Sequence, residues 1–354
     1  MRRFLLARLA RAVPAAWGII SIIFLLSRSL SATQTVSEEL QSSIAGHTAT
    51  PKQIRTTERL IRRRLGLDLP LFYVTPAAQS TSGALAWRWQ WQGFQNQYHR
   101  WLLGVLRGDL GYSFRDGRPV TTQLRLALGA TLPLTAAAFL VTSVLARWLT
   151  LFLANHRGLR TALLSALHVL HALPLFVIAL LLLLLLANPD ALSWFPAYGL
   201  ADFGDNTSWS IQVLQYLHHL ALPLFSLVLV SLPSLVVQLD YALARELQAD
   251  YVVTARAKGL PQRLVVRHHA LRNALLPAIT YLTDLLPALV AGAVVVELIF
   301  ALPGMGRLLA EAAAARDFPI LLGAVLLIAG TRLGAQILAD WLYYQADPRI
   351  RLEV

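Results

Sequence analysis

Three ionisable residues lie inside long apolar runs of this 354-residue chain. Asp284 and Glu297 share one run, and Arg332 lies in the middle of the next. Charged groups at membrane depth are costly, and they usually pair or mark a solute or ion pathway. Two interpretations remain open: Asp284 and Arg332 form a structural pair, or all three residues belong to a substrate pathway. Arg147, near the end of another run, is predicted to extend towards the lipid headgroups.

Residue patterns for nucleotide hydrolysis and metal chemistry are missing from the sequence. Lys52 and Lys258 are the only lysines, and neither follows a GxxxxG loop. The chain contains no HExxH motif and no cysteine. His168 and His171 would share a helix face, but no carboxylate at helical spacing completes a metal site. The sequence therefore predicts no catalytic residue, no metal and no cofactor.

Composition places the chain among polytopic membrane proteins. Hydrophobic residues make up 56% and charged residues 14%, whereas a soluble domain carries about 25% charged residues. The formal net charge of +12 raises the question of nucleic acid, but no basic groove interleaved with aromatic residues is present. Membrane topology and contact with anionic lipid account for the excess positive charge.

Six membrane spans can be read from apolar runs of roughly 20 residues. The expected class is an all-α polytopic membrane protein with six transmembrane helices. The predicted spans are 9–30, 129–154, 161–187, 211–237, 277–301 and 318–343. Prolines at positions 133, 174, 223, 233, 277 and 287 are candidate sites for kinks.

Charges in the short loops predict the orientation. The connection between spans two and three and that between spans four and five are basic, while that between spans three and four carries only acidic charges. The positive-inside rule then places both termini in the cytoplasm. The predicted organisation is an N-terminal transmembrane helix (1–30), an extracytoplasmic loop (31–124), a core of five transmembrane helices (125–346) and a cytoplasmic tail (347–354).

The long loop 31–124 carries two local signals. Residues 51–66 predict a helix, with Pro51 at its start and Gly66 at its end. Residues 76–97 are rich in tryptophan and glutamine, and Trp87, Trp89 and Trp91 alternate with polar residues, as on one face of a strand. An aromatic belt at the outer leaflet is the favoured interpretation, and contact with an external binding protein or lipoprotein is the alternative.

A basic and mostly polar segment, 250–277, separates the predicted fourth and fifth spans. Residues 247–258 predict a short helix that ends at Gly259, the residue type that best adopts the left-handed conformation after a helix. Pro261 suits the first turn of a second short helix. The segment thus predicts a helix–turn–helix at the cytoplasmic face, either as a binding surface or as an ordinary basic loop that sets topology.

The letters TARAKGL and HALRNALLP within this segment resemble the cytoplasmic "EAA" loop of ABC-importer permeases, in the subclass that moves peptides, nickel and related solutes. In that family the loop docks on the ATPase subunit and transmits its motion. The resemblance implies a coupling role for the matching residues, namely Thr254, Ala255, Arg256, Ala257, Lys258, Gly259, Arg272 and Asn273.

Further segments resemble the same family in the same order along the chain. They are GDLGYSFRDGRPV (108–120), WFPAYG (194–199), LVAGAVVVELIFALPGMGRLLAEA (289–312), RDFP (316–319) and DPRIR (347–351). The resemblance covers most of the chain except roughly 31–60 and 76–96. Glu297 occupies a position that matches the family, whereas Asp284 and Arg332 depart from its usual apolar or amide residues.

The resemblance implies a permease subunit of an ATP-driven importer of peptides or similar solutes in the bacterial cytoplasmic membrane. It would form half of the pathway with a second permease subunit, identical or related. Two ATP-binding cassette subunits would bind below and a solute-binding protein outside. The alternative is a secondary transporter driven by an ion gradient, with Asp284, Glu297 and Arg332 as coupling groups. A lipid-modifying enzyme would need an acidic surface cluster, and the sequence has none.

Overall fold

The computed structural model describes residues 50–64, 67–81, 84–200 and 208–346, with scattered positions between 14 and 40. Most of predicted span one and the tail 347–354 lie outside the described residues, as do Asp202 and Asp205 of the acidic loop. The chain divides into two compact units. Among the described residues, the larger unit comprises 125–200, 208–310 and 328–346, and the smaller comprises those up to 124 and 311–327.

The described elements are mostly helices. In chain order they are α1 (Pro51–Arg64), β1 (Val74–Thr81), β2 (Ala84–Trp91), α2 (Gln97–Leu106), α3 (Val120–Asn155), α4 (Arg157–Ala172), α5 (Leu175–Leu186), α6 (Trp209–Glu246), α7 (Asp250–Ala257), α8 (Gln262–Leu264), a π-turn (Val265–Ala270), α9 (Leu271–Ile299), α10 (Met305–Ala314) and α11 (Phe318–Ala346). The helix predicted over 51–66 is therefore present as α1.

Within the described residues, three helical segments are long and apolar enough to cross a membrane, namely α3, α6 and residues 281–299 of α9. The predicted third span is not one straight helix, because α4 and α5 meet at a bend of 99°. The bent pair is either one broken fourth span or a re-entrant segment. Pro174 is the N-cap of α5 at that bend, whereas α3 continues through Pro133 and α6 through Pro223 and Pro233.

The core of the larger unit is apolar and joins four helices. Leu134 of α3, Ala179 of α5, Leu222 of α6 and Leu289 of α9 are buried in one cluster. A second cluster, around the buried residue Leu235 of α6, extends the packing. Burial of this kind fixes the helices that carry the segment 250–277 at their ends.

In the part of the chain that the structure describes, the smaller unit departs from the all-α class by a β-hairpin. Strands β1 and β2 pair antiparallel, with Val74 opposite Trp91 and Pro76 opposite Trp89. The strand suggested by the alternating tryptophans is therefore real, and Trp89 and Trp91 expose 75% and 63% of their surface. Below the hairpin, Phe24 and Tyr98 are fully buried in an aromatic cluster.

Asp317 anchors the segment that resembles GDLGxS within the smaller unit. Its carboxylate accepts hydrogen bonds from the Ser113 hydroxyl and from the backbone N–H groups of Phe114 and Arg115. Asp317 is 1% exposed. A buried carboxylate needs hydrogen-bond donors, and these contacts join RDFP and GYSFRDG into one structural unit.

Candidate coupling site and membrane-embedded charges

The first arm of the segment 250–277 is the short helix α7. Asp250 lies in its first turn and Arg256 in its last, an arrangement that complements the helix dipole. Lys258 is the C-cap, and its N–H donates to the carbonyl of Thr254. Gly259 follows with φ of 78°, the left-handed conformation predicted from the sequence. A residue with a side chain would be strained at this turn.

The second arm differs from the predicted separate helix. Pro261 is the N-cap of α8, which lasts only from Gln262 to Leu264. The chain then widens into the π-turn Val265–Ala270 and runs without interruption into α9. Single π-turns inside helices are rare and occur often at functional sites. The second arm is therefore continuous with α9, the helix that contains the fifth predicted span (277–301).

The underside of the segment is apolar and packed. Val252 and Ala255 of α7 are buried together with Val265 and Val266 of the π-turn and Leu243 near the end of α6. Ala255 was assigned a coupling role by resemblance, but its side chain is only 7% exposed. Ala255 therefore holds α7 against the ends of the long helices and does not offer its side chain to a partner.

The opposite side of the segment is exposed and basic. The other residues assigned by resemblance, Thr254, Arg256, Ala257, Lys258, Gly259, Arg272 and Asn273, are all exposed. Val253 and Leu264 add apolar surface, at 55% and 43% exposure. We define this set as the coupling surface. Exposed apolar side chains among cations are suited to contact with another protein rather than with water alone.

Tyr251 links α7 to α6 and α9, and no pattern in the sequence indicated this contact. Its hydroxyl donates to a carboxylate oxygen of Glu246 at 2.5 Å, and it also hydrogen-bonds with the side chain of Asn273. Burial, reinforced by the neighbouring Glu246 carboxylate, raises the pKa of Tyr251 to about 12 against the opposing contact with Asn273. Through this contact with Tyr251, Asn273 helps to hold α7 beside α9.

An ion pair lies beside the coupling segment. Arg160 of α4 contacts Asp240 of α6 through both carboxylate oxygens, at 3.1 and 2.6 Å. Asp240 is 7% exposed. The pair lines a cavity of about 430 Å³ that Arg256 and Gln262 of the coupling segment also line. Sequence reasoning used Arg160 only for orientation and missed Asp240, because its partner lies 80 positions away.

Glu297 is buried, and both of its carboxylate oxygens accept hydrogen bonds. The Thr131 hydroxyl donates to one carboxylate oxygen at 2.5 Å, and the N–H groups of Gly306 and Arg307 donate to the other at 2.6 and 3.3 Å. The N–H of Met305 donates in turn to the Thr131 hydroxyl at 2.8 Å. Glu297 therefore caps the N-terminus of α10, where a carboxylate is favoured.

Two glycines permit this arrangement. A Cβ atom on Gly304 would collide with the Glu297 carboxylate, and one on Gly306 would collide with the backbone of Val294. The loop 302–306, LPGMG, must lie directly on α9 for the carboxylate to reach the backbone donors. The match to the family around Glu297 thus has a structural explanation.

Asp284 and Arg332 occupy a different environment. Both side chains are exposed, and within the described residues no ion pair joins them. The structural-pair interpretation therefore has no contact to support it. Arg147 is also exposed. Among the residues that the structure describes, Glu297 is the one pathway candidate with a defined set of partners, which cap α10.

Comparison with known proteins decides the family. Residues 143–352 match the family of binding-protein-dependent transport system inner membrane components. The chain belongs to this family. A Brucella abortus (strain 2308) protein, named as a candidate permease of a peptide transport system, is 31% identical over 360 residues and is matched over 100% of both chains. The oligopeptide transport system permease protein AppB of Bacillus subtilis is 34% identical over 265 residues, covering 72% of this chain and 79% of AppB.

The dipeptide transport system permease protein DppB of Escherichia coli is 28% identical over 373 residues and is covered over 99% of each chain. The resemblance to the peptide family of ABC-importer permeases is thereby confirmed. The chain is an inner-membrane transport component with several membrane-spanning helices. Its family consists of membrane subunits of transporters, not of enzymes.

Proposed function

We propose that this chain is the permease subunit of an ATP-driven importer of peptides or similar small solutes. It would form half of the translocation pathway and work by alternating access. A second permease subunit, identical or related, would supply the other half. Two ATP-binding cassette subunits would bind the coupling surface, and an extracytoplasmic solute-binding protein would deliver the solute.

The coupling surface is the observation that carries this proposal. Its apolar underside is buried against the ends of α6 and α9, while its basic upper side is exposed. A force on α7 would reach the π-turn through the packed side chains of Val252 and Val265, and the π-turn continues into α9 without a loop. A surface held firmly on one side and open on the other is suited to pass a partner's movement into the membrane.

The proposed topology follows from the same surface. If it faces the cytoplasm, α6 and α9 extend outwards from it, and residues 31–124 lie outside, as the short-loop charges predict. Cysteine labelling of intact cells should then modify a cysteine introduced at Gln79 and leave one at Ala257 unmodified. Labelling at Ala257 alone would contradict the topology.

The alternative of an ion-driven secondary transporter loses one of its coupling groups. A coupling carboxylate must exchange its ligand during transport, whereas Glu297 already accepts three hydrogen bonds, from the Thr131 hydroxyl and from two backbone N–H groups. Those donors belong to the cap of α10, so releasing the carboxylate would leave buried N–H groups unpaired. This arrangement favours the ATP-driven importer.

Substitution of Gly259 by valine tests the proposal. A β-branched residue at φ of 78° is strained by about 1–2 kcal/mol, and no heavy atom lies within 4 Å of the added Cβ position. Gly93→Val is a matched control, because Gly93 has φ of 66° and equally open space but lies in the smaller unit, outside the segments that resemble the family. We expect Gly259→Val to abolish most solute-stimulated ATPase activity and uptake in proteoliposomes.

The control should retain both activities at a similar level of insertion. Normal coupling in Gly259→Val, or equal losses in the two variants, would contradict a transmission role for the segment. Uptake that persists without the ATPase subunits and follows an imposed proton gradient would instead support the secondary transporter.

A further inference from the structure

The smaller unit contains a cavity of about 290 Å³ that the proposed transport cycle does not use. Four parts of this unit form its walls: Phe24 and Arg28, helix α2, the turn 109–114, and the start of α11. The cavity combines aromatic walls with cationic groups. Neither feature is explained by the coupling surface or by the Glu297 cap, which belong to the larger unit.

One face of α2 lines the cavity. Gln97, Arg100, Trp101 and Gly104 follow the spacing of a single helix face. On the remaining surface of α2, Leu103 and Leu106 expose 37% and 75% of their area. A helix with an exposed apolar side and a basic side is typical of the membrane interface.

Arg28 is the cation inside the cavity. It is partly buried, and its guanidinium lies 5.8 Å from the centre of the Phe24 ring. Within the described residues, no carboxylate lies within ion-pairing distance of Arg28. Asp109 also lines the cavity, but one of its carboxylate oxygens accepts the N–H of Gly111. A half-buried arginine among aromatic rings therefore offers its donors to an external anion.

The position along the chain places this cavity at a membrane boundary. Phe24 and Arg28 lie at the end of the predicted span 9–30, and Phe318 and Leu322 lie at the start of the predicted span 318–343. By the proposed topology both ends are on the outer side. Trp101 and Tyr112, also in the lining, are residue types enriched at the level of the lipid headgroups.

We propose that this cavity binds the phosphodiester headgroup of an anionic phospholipid such as phosphatidylglycerol. Arg28 is the principal phosphate ligand, and Arg100, exposed at the rim, is a second cation. The exposed Leu103 and Leu106 offer an apolar surface for the acyl chains. The assignment of the outer leaflet rests on the proposed topology, whereas the headgroup chemistry rests on the cavity itself.

Thermal unfolding of the full-length chain, purified in its assembled complex in detergent, tests this proposal. Phosphatidylglycerol, phosphatidylcholine and inorganic phosphate are titrated separately against the wild type, Arg28→Gln, Arg28→Lys and Arg107→Gln. Arg107 is the exposed C-cap of the same helix and does not line the cavity, so Arg107→Gln is the matched control. Native mass spectrometry counts the bound lipids in parallel.

We expect phosphatidylglycerol to stabilise the wild type far more than phosphatidylcholine or inorganic phosphate. Arg28→Gln should weaken the apparent affinity for phosphatidylglycerol about tenfold, as loss of a charge-assisted hydrogen bond predicts. The affinity of Arg28→Lys should lie between those of the wild type and Arg28→Gln, because lysine keeps the charge but cannot make the bidentate contact of arginine. Arg107→Gln should behave as the wild type.

Three outcomes would overturn the proposal: equal stabilisation by phosphatidylcholine, equal stabilisation by inorganic phosphate alone, or an unchanged phosphatidylglycerol response in both Arg28 variants. If Arg28→Gln fails to fold, Arg28→Lys and the lipid count still give an answer. No step depends on transport or on ATPase activity, so a failure here is distinguishable from a failure of the proposed function.

Discussion

The coupling surface and the Glu297 cap both match the importer family, yet they are built in opposite ways. In the cap, the carboxylate and its donors are buried and satisfy one another. In the coupling surface, the cationic side chains are exposed, and only the apolar underside is packed. A resemblance in sequence therefore covers two kinds of residue, those that complete the fold and those left open for a partner.

The largest expected effect comes from breaking the cap. Glu297→Leu would remove the acceptor of the Thr131 hydroxyl and of two backbone N–H groups in a buried site. Each buried donor left unpaired costs about 1–3 kcal/mol, so we expect the unfolding temperature in detergent to fall sharply. The unfolding temperature of Glu297→Gln, which keeps one carbonyl acceptor, should fall less. If Glu297→Leu is as stable as the wild type but inactive in uptake, the result would contradict the structural role and support a role for Glu297 in the solute pathway.

An intermediate effect is expected at the coupling surface. The double substitution Arg256→Gln with Lys258→Gln removes two exposed charges without disturbing the buried underside. We expect unchanged unfolding temperature but about tenfold weaker binding of the ATPase subunits, measured by titration in nanodiscs. Arg147→Gln, also exposed but on α3, is the control and should bind normally. Equal weakening in both would indicate a general charge effect.

The smallest expected effect concerns Asp284 and Arg332. Because both are exposed and unpaired with each other in the described residues, each change to leucine should alter the unfolding free energy by about 0.5 kcal/mol or less. In the double variant, the two changes in unfolding free energy should add. A changed solute preference in uptake assays would support a pathway role. Recovery of stability in the double variant relative to each single one would instead support a pair.

The features that could be predicted from the sequence are those set by local residue type. Gly259 and Pro261 determine their own turn, so its position and the φ of 78° at Gly259 followed from residue type. The helix α1 was likewise readable from its ends. The π-turn was not predicted, because no residue type marks a helix that widens by one residue.

Long-range partners explain what the sequence could not predict. Thr131 lies 166 positions before Glu297, and Arg160 lies 80 positions before Asp240, so neither contact has a local signal. Six prolines were candidate kinks, but only the packing around them decides which helix bends. At Pro174 the chain turns by 99°, while α6 accommodates Pro223 and Pro233 in one helix.

The bend at Pro174 has a consequence for membrane thickness. At 1.5 Å per residue, the 16 residues of α4 and the 12 of α5 measure about 24 and 18 Å, against a hydrocarbon layer of about 30 Å. Neither helix alone crosses that layer, and a bend of 99° prevents their lengths from adding along one axis. Backbone groups freed at such a break cannot face acyl chains. We therefore expect the exposed residues Leu173 and Phe176 at the bend to contact another protein surface.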